Sequence, residues 1–178
     1  MKIAVINFSG NVGKTTVARH LLLPRIQGAE LISVESVNAD EGKTTALRGG
    51  QFAELQEYLQ TVSSVVVDIG ASNVEELMAQ MQRYRGSHED FDYFVIPAVP
   101  DVKQQKDTAN TANELAKMGV PAEKIKIVLN RVEDSDAPGK QFTALIGFLA
   151  VNQVATINLG AHLTDNEIYQ RVKQDGRS

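Results

Sequence analysis

Ten consecutive residues, Asn7-Phe8-Ser9-Gly10-Asn11-Val12-Gly13-Lys14-Thr15-Thr16, gather the groups that can hold a phosphate chain. Gly10 and Gly13 let the backbone curl so that successive N–H groups face one anion. Lys14 has the reach to set a point charge on the β- and γ-phosphates. Thr15 offers a hydroxyl to Mg²⁺, which prefers hard oxygens in an octahedron. A helix beginning here adds the partial positive charge of its amino end. The pattern is that of the Walker A loop, G-x-x-x-x-G-K-S/T, with Phe8 where the first glycine is expected. A chance glycine-rich turn has no reason to sit between an apolar strand and a helix, as this one does. Farther on, Val65-Val66-Val67-Asp68-Ile69-Gly70 sets a carboxylate at the end of an apolar run, the Walker B arrangement. There Asp68 holds Mg²⁺ and the Gly70 N–H can sense a γ-phosphate. Alone, Asp68 would equally suit a turn or a helix cap.

These groups need elements to position them. Apolar, β-branched runs at residues 3–6, 31–34, 65–69, 94–99, 125–129 and 154–157 predict six strands. Several are continuous apolar runs, as strands covered on both faces require. Between them the period is helical. Val74, Leu77, Met78 and Met81 fall at i, i+3, i+4 and i+7 behind a Ser72/Glu75 or Asn73/Glu76 capping pattern. Phe52, Leu55 and Leu59 repeat that spacing, as do Ala109, Ala112 and Ala116, and Val17, Ala18, Leu21 and Leu22 open a helix after the loop. Residues 141–151 are apolar nearly all round, which predicts the most buried helix. The alternation predicts one α/β domain over residues 1–178 with a mainly parallel sheet between helix layers, and the Walker motifs make that a three-layer α/β/α P-loop NTPase fold. The loops after Ile6, Val34, Val67 and Leu129 would then meet at one edge, where nucleotide binds. Residues 38–50 read as an irregular functional loop and residues 133–139 as an exposed turn.

Composition narrows the chemistry further. With 178 residues, 43% of them hydrophobic, the chain can bury a core of normal size. Its 18 basic and 22 acidic residues give a net charge of −4, which argues against a surface coated in phosphate-binding charge. Local basic clusters remain at Arg83-Tyr84-Arg85 and at Arg171, Lys173 and Arg177. They would suit a nucleic-acid backbone, although helix carboxyl ends also attract cations. The absence of cysteine excludes disulfide frameworks, thiolate zinc sites and thiol nucleophiles. His20, His88 and His162 stand singly, without metal-ligand spacing. No apolar stretch is long enough to span a bilayer and no secretory pattern follows Met1. Ile168, Tyr169 and Val172 near the carboxyl end make no large apolar face, so no membrane partner is expected and the expected location is cytoplasmic.

The motifs together resemble the ParA/MinD group of deviant Walker A ATPases, most closely the small ATPases of plasmid stability and conjugation operons (StbB-type). Residues 7–16 resemble N-x-K-G-G-x-G-K-T-T, and Asp68-Ile69-Gly70 resembles the group's Walker B and switch II. Leu31 to Glu35 is similar to the strand leading into switch I. Phe94 to Pro100 is similar to its strand ending in prolines, and Val128-Leu129-Asn130-Arg131 to its V-L-N-R element. The resemblance implies ATP as ligand, held by Ser9, Gly10, Asn11, Val12, Gly13, Lys14, Thr15, Thr16, Asn130 and Arg131, with Mg²⁺ on Thr15 and Asp68. It implies Lys14, Glu35 and Asp68 as the catalytic groups and Asn130 as the reader of adenine; Asn is also a favoured turn residue. Glu35 stands nearest to the catalytic acid of switch I, and Asp40 competes with it.

Two departures carry consequences. The group's signature lysine, which reaches the partner subunit's nucleotide, falls at Ser9, and its second loop glycine falls at Asn11. Serine carries no charge, so the resemblance implies weak intrinsic hydrolysis unless another group supplies the cation. The implied function is a switch: Mg-ATP favours a homodimer, hydrolysis releases it, and a DNA-binding adaptor couples the cycle to plasmid partitioning, plasmid stability or conjugative DNA positioning. Direct nucleic-acid binding is a further expectation. A P-loop small-molecule phosphotransferase or ligase, and a non-hydrolysing nucleotide sensor, are the rival readings.

Overall fold

The computed structural model describes residues 1–34 and 49–165. Six strands, β1 (Lys2–Val5), β2 (Glu30–Val34), β3 (Val65–Ile69), β4 (Tyr93–Ala98), β5 (Ile125–Val132) and β6 (Thr156–Thr164), form one sheet in the order β2-β3-β1-β4-β5-β6. Every neighbouring pair is parallel. The helices are α1 (Lys14–Thr16), α2 (Gly49–Thr61), α3 (Val74–Arg83), α4 (Val102–Lys117) and α5 (Thr143–Asn152). Helix α1 runs on as a π-helical turn, Val17–Leu22, and a 3₁₀ turn, Leu23–Arg25. Pro24 in that last turn can supply no further N–H to the helical ladder.

The period-two alternation of the strands sorts the core into two layers. Ile3, Val5, Val66 and Val95 face Val17 and Ala18 of the helical stretch after the loop. Ala4, Ile6, Val67, Phe94, Ile96 and Ile127 face the other way, against α2, α3, α4 and α5. The fold is thus α/β with a parallel sheet and helices on both faces, as the alternation predicts. Because α1 covers one face and α4 the other, the chain leaving β1 emerges at the point where the strand order reverses. Ligands of open parallel sheets bind in that crevice, beyond the carboxyl ends of the strands.

Four local expectations are corrected and a fifth is met in part. Helix α5 is not the most buried helix. Its Leu145 and Leu149 are buried, but Val151 is 82% exposed, and Ala144, Gly147 and Ala150 also face solvent. An all-round apolar composition gives no direction; α5 packs against α4 near the sheet edge, so one stripe finds cover. Strand β6 starts later than residue 154 and continues to Thr164. Ile127 pairs with Ile157 but Leu129 pairs with His162, so residues 158–161 bulge from the ladder. This edge segment lacks the apolar run that marks an inner strand. At α3 the Asn73 side chain does not cap the helix; its Nδ2 donates to the Val34 carbonyl at 3.2 Å. The irregular stretch expected through residue 50 ends earlier, because α2 begins at Gly49. Of the turn expected over residues 133–139, residues 133–136 are exposed, with Asp134 Oδ1 accepting from the N–H groups of Asp136 and Ala137, whereas residues 137–139 are half-buried and Pro138 opens a 3₁₀ turn, Pro138–Phe142.

Candidate phosphate-binding site

The loop from Asn7 to Gly13 leaves β1 at the crevice and is held from both sides. Asn7 is fully buried, and its amide donates to the Pro97 carbonyl at 2.9 Å and to Thr108 Oγ1 at 2.8 Å. Its Oδ1 accepts from the Ser9 N–H at 2.8 Å, so the side chain closes the start of the loop. The Phe8 N–H turns to Thr111 Oγ1 at 3.1 Å. That N–H faces α4 rather than an anion, and the Phe8 ring packs against the core, which explains why glycine is not required there. Beyond it the backbone alternates. Asn11 has φ +58° and Gly13 φ +88°, the left-handed conformation that makes consecutive N–H groups converge. Asn is among the few side-chain-bearing residues that enter this region readily, so it can stand where the resemblance places a glycine.

Among the described residues, the backbone N–H groups of Gly10, Asn11, Val12 and Gly13 donate to no protein acceptor. Four consecutive donors of this kind beside a helix start form a cradle for an anion. Lys14 lies inside it, 8% exposed, and its Nζ donates to the carbonyls of Ser9 at 2.7 Å and Asn7 at 3.2 Å. Burial pulls its pKa from 10.5 down to about 8, with the Asp68 carboxylate opposing that shift. Thr15 Oγ1 donates to Asp68 Oδ2 at 2.6 Å, joining the helix start to the end of β3. A hydroxyl and a carboxylate side by side next to a phosphate cradle are the hard-oxygen pair that Mg²⁺ takes alongside phosphates and waters.

Asn130 and Arg131, near the end of β5, meet the loop from the far side. Asn130 Nδ2 donates to the Val12 carbonyl at 2.9 Å, and its Oδ1 accepts from the Arg131 N–H at 3.0 Å. The Arg131 guanidinium donates to Asn11 Oδ1 at 3.0 Å, and Arg131 is itself left-handed at φ +55°. Sequence reasoning placed Asn130 for a base; its closest engagement here is with the loop backbone. The structure brings together Ser9, Gly10, Asn11, Val12, Gly13, Lys14, Thr15, Asp68, Asn130 and Arg131. Thr16 follows in α1. Glu35 and its competitor Asp40 lie outside the described residues, as do Arg171, Lys173 and Arg177. Arg83, Tyr84 and Arg85 are exposed at the end of α3, with Tyr84 stacked on Phe52 at 5.7 Å between ring centroids.

Three groups that no motif marks belong to the site, Gln104, Thr108 and Thr111, and Asn7, the first residue of the motif, anchors the loop to β4 and to Thr108 of α4. The available signal was weak but physical. Gln105, Thr108 and Thr111 are polar residues on the buried face of α4, and buried polar groups need partners. Gln105 spans to α5, donating to the Pro100 and Gln141 carbonyls and accepting from the Leu145 N–H.

No protein-family model matches the chain, and no curated protein matches it. Solved structures do. A variant of McdA from Cyanothece in complex with ATP shares 15% identity, over 99% of this chain and 87% of that one, with a TM-score of 0.56. Apo McdA from Cyanothece also shares 15%, over 98% and 90%, with a TM-score of 0.58. A protein of Borrelia burgdorferi B31 named for plasmid partition, bound to AMPPNP, shares 13%, over 99% and 90%, with a TM-score of 0.61. At such identities the likeness is one of fold. No helix among the described residues is long and apolar enough to cross a membrane.

Proposed function

We propose that this chain is an ATPase switch of the ParA/MinD type, akin to the small plasmid-stability and conjugation ATPases. The observation that carries this reading is the 2.6 Å contact of Thr15 with Asp68 at the foot of a loop whose four consecutive N–H groups donate to no acceptor among the described residues. The fold shared with a McdA–ATP complex and with an AMPPNP-bound partition protein supports it.

In this mechanism the loop N–H groups and Lys14 bind and orient the triphosphate, and Thr15 and Asp68 hold Mg²⁺. When bound, Mg²⁺ neutralises charge on the β- and γ-phosphates. Asn7, tied to β4 and α4, keeps the loop in register with the sheet. Nucleotide then favours a homodimer, whose formation a DNA-binding adaptor reads, and hydrolysis dissolves it. Because Ser9 is neutral and 8% exposed, the loop brings no second cation to the transferring phosphoryl group. Arginine or lysine groups of that kind are worth about 10³–10⁵ in rate in related phosphoryl transfer. Phosphate release by the protein alone is therefore expected to be slow, rising when an adaptor or DNA is added. Titration calorimetry with Mg-ATP and light scattering with and without nucleotide test the two halves of the reading. Fast turnover by the isolated chain, or an unchanged mass on adding Mg-ATP, would count against it. The same neutral Ser9 favours the non-hydrolysing sensor as second reading, and binding without phosphate release under every partner condition would select it.

The lowered pKa of Lys14 adds a pH dependence. Free protein loses the Lys14 proton around pH 8, whereas phosphate oxygens around the ammonium hold it on. Binding above that pH must then take up a proton. Mg-ATP affinity should fall by up to about tenfold per pH unit above pH 8. Calorimetry in buffers of different ionisation enthalpy should report uptake approaching one proton at pH 9 and almost none at pH 6.5. Equal uptake at both would mean that the free protein keeps the Lys14 proton at pH 9.

A further inference from the structure

Three neighbouring loop residues are each held from outside the cradle by a different side chain. The Gly10 carbonyl accepts from Gln104 Nε2 of α4 at 2.9 Å, Asn11 Oδ1 accepts from Arg131 at 3.0 Å, and the Val12 carbonyl accepts from Asn130 Nδ2 at 2.9 Å. A trans peptide unit points its C=O and the following N–H in opposite directions. Drawing the Gly10 carbonyl toward α4 therefore turns the Asn11 N–H away from α4. Drawing the Val12 carbonyl toward β5 likewise turns the Gly13 N–H away from Asn130. We infer that Gln104 and Asn130 are positioning residues: two carboxamide struts that set alternate peptide planes of the loop, so its N–H groups point at an anion before one arrives.

The inference rests on the proposed polyphosphate site and names residues that the phosphate motif leaves out. Preorganised donors bind better than donors that must first be turned, because the cost of ordering has already been met in folding. Gln104 is the cleaner probe. It is only partly buried, and the Gly10 carbonyl can turn to water without it, so losing the strut should leave the fold intact. Asn130 is buried and touches Gly13, and its loss also disturbs packing.

The decisive variant is Gln104→Met, similar in size, uncharged and without a donor. Mg-ATP affinity should fall roughly 3- to 10-fold, the worth of about one hydrogen bond. The midpoint of thermal unfolding should stay within about 2 °C, as for a surface change. In nucleotide-free protein, the Asn11 amide resonance should shift while that of Gly13, governed by Asn130, keeps its position; Asn130→Ala should displace the Gly13 resonance. Unchanged affinity in Gln104→Met, or a resonance change that spares Asn11, would overturn the strut role. No heat from unaltered protein with Mg-ATP would instead sink the nucleotide reading, and the amide resonances would still decide whether the two carboxamides set the loop.

Discussion

Lys14→Met should lose Mg-ATP binding by at least about 100-fold while the nucleotide-free protein unfolds at the same temperature or higher. The binding half follows from charge. A buried ammonium bridging two phosphate oxygens makes two charge-assisted hydrogen bonds, each worth about 1.5–3 kcal/mol. Losing both corresponds to about 3–6 kcal/mol, or two to four decades in affinity. The stability half runs the other way, because the pKa is lowered from 10.5 to about 8 by burial. Between those pH values the unfolded chain binds the proton that the folded chain has released, so stability rises with pH across that window. At pH 7 both states carry the charge, and the folded state bears the full desolvation cost, on the order of 3 kcal/mol at most. The ammonium recovers part of this through the Ser9 and Asn7 carbonyls. Methionine keeps the stem and removes the charge. Calorimetry and thermal unfolding at pH 7 on one preparation check both halves. A variant that still binds Mg-ATP within tenfold of the parent would remove the ammonium from the phosphates; a markedly lower unfolding midpoint would make Lys14 a structural residue first.

The sequence was most legible where one residue type has one physical use. The runs in β1, β3 and β4 read as buried strands because nothing else tolerates apolar side chains on both faces of an extended segment. Gly-Lys-Thr-Thr after such a strand marked the turn from strand to helix, and the helix does start at Lys14. What could not be read was direction. Helix α5 has apolar residues on every side, and only the position of α4 decides that Leu145 and Leu149 turn inward while Val151 faces water. Strand β6 passes through Gly160 and His162, and its pairing depends on a bulge that no periodicity announces. In the site, Gln104 and Thr108 looked like ordinary polar helix residues. Their partners lie more than ninety positions away in the chain, at Gly10 and Asn7. Asn130 illustrates the same gap, since a base reader and a loop strut need the same carboxamide.

Gly13→Ala is expected to destabilise the fold strongly. Two penalties coincide at that position. Gly13 sits at φ +88°, where a side chain costs roughly 1–2 kcal/mol. The new Cβ would also stand 2.3 Å from Asn130 Nδ2, closer than such atoms approach. Asn130 must then move and release the Val12 carbonyl, a bond worth about 0.5–1.5 kcal/mol in net terms. The sum, about 1.5–3.5 kcal/mol, would lower the unfolding midpoint by roughly 3–14 °C for a chain of this size. Gly10→Ala is the internal control, because a Cβ there meets nothing within 4 Å, and its fold stability should stay within about 0.5 kcal/mol. The steric share can be separated from the backbone share by the double variant. In an Asn130→Ala background the clash is gone and only the left-handed penalty remains, so Gly13→Ala should cost about 0.5–1.5 kcal/mol less there than in the parent chain. Strict additivity of the two substitutions would mean that Asn130 does not press on the loop at Gly13, and the strut assigned to that carboxamide would fall with it.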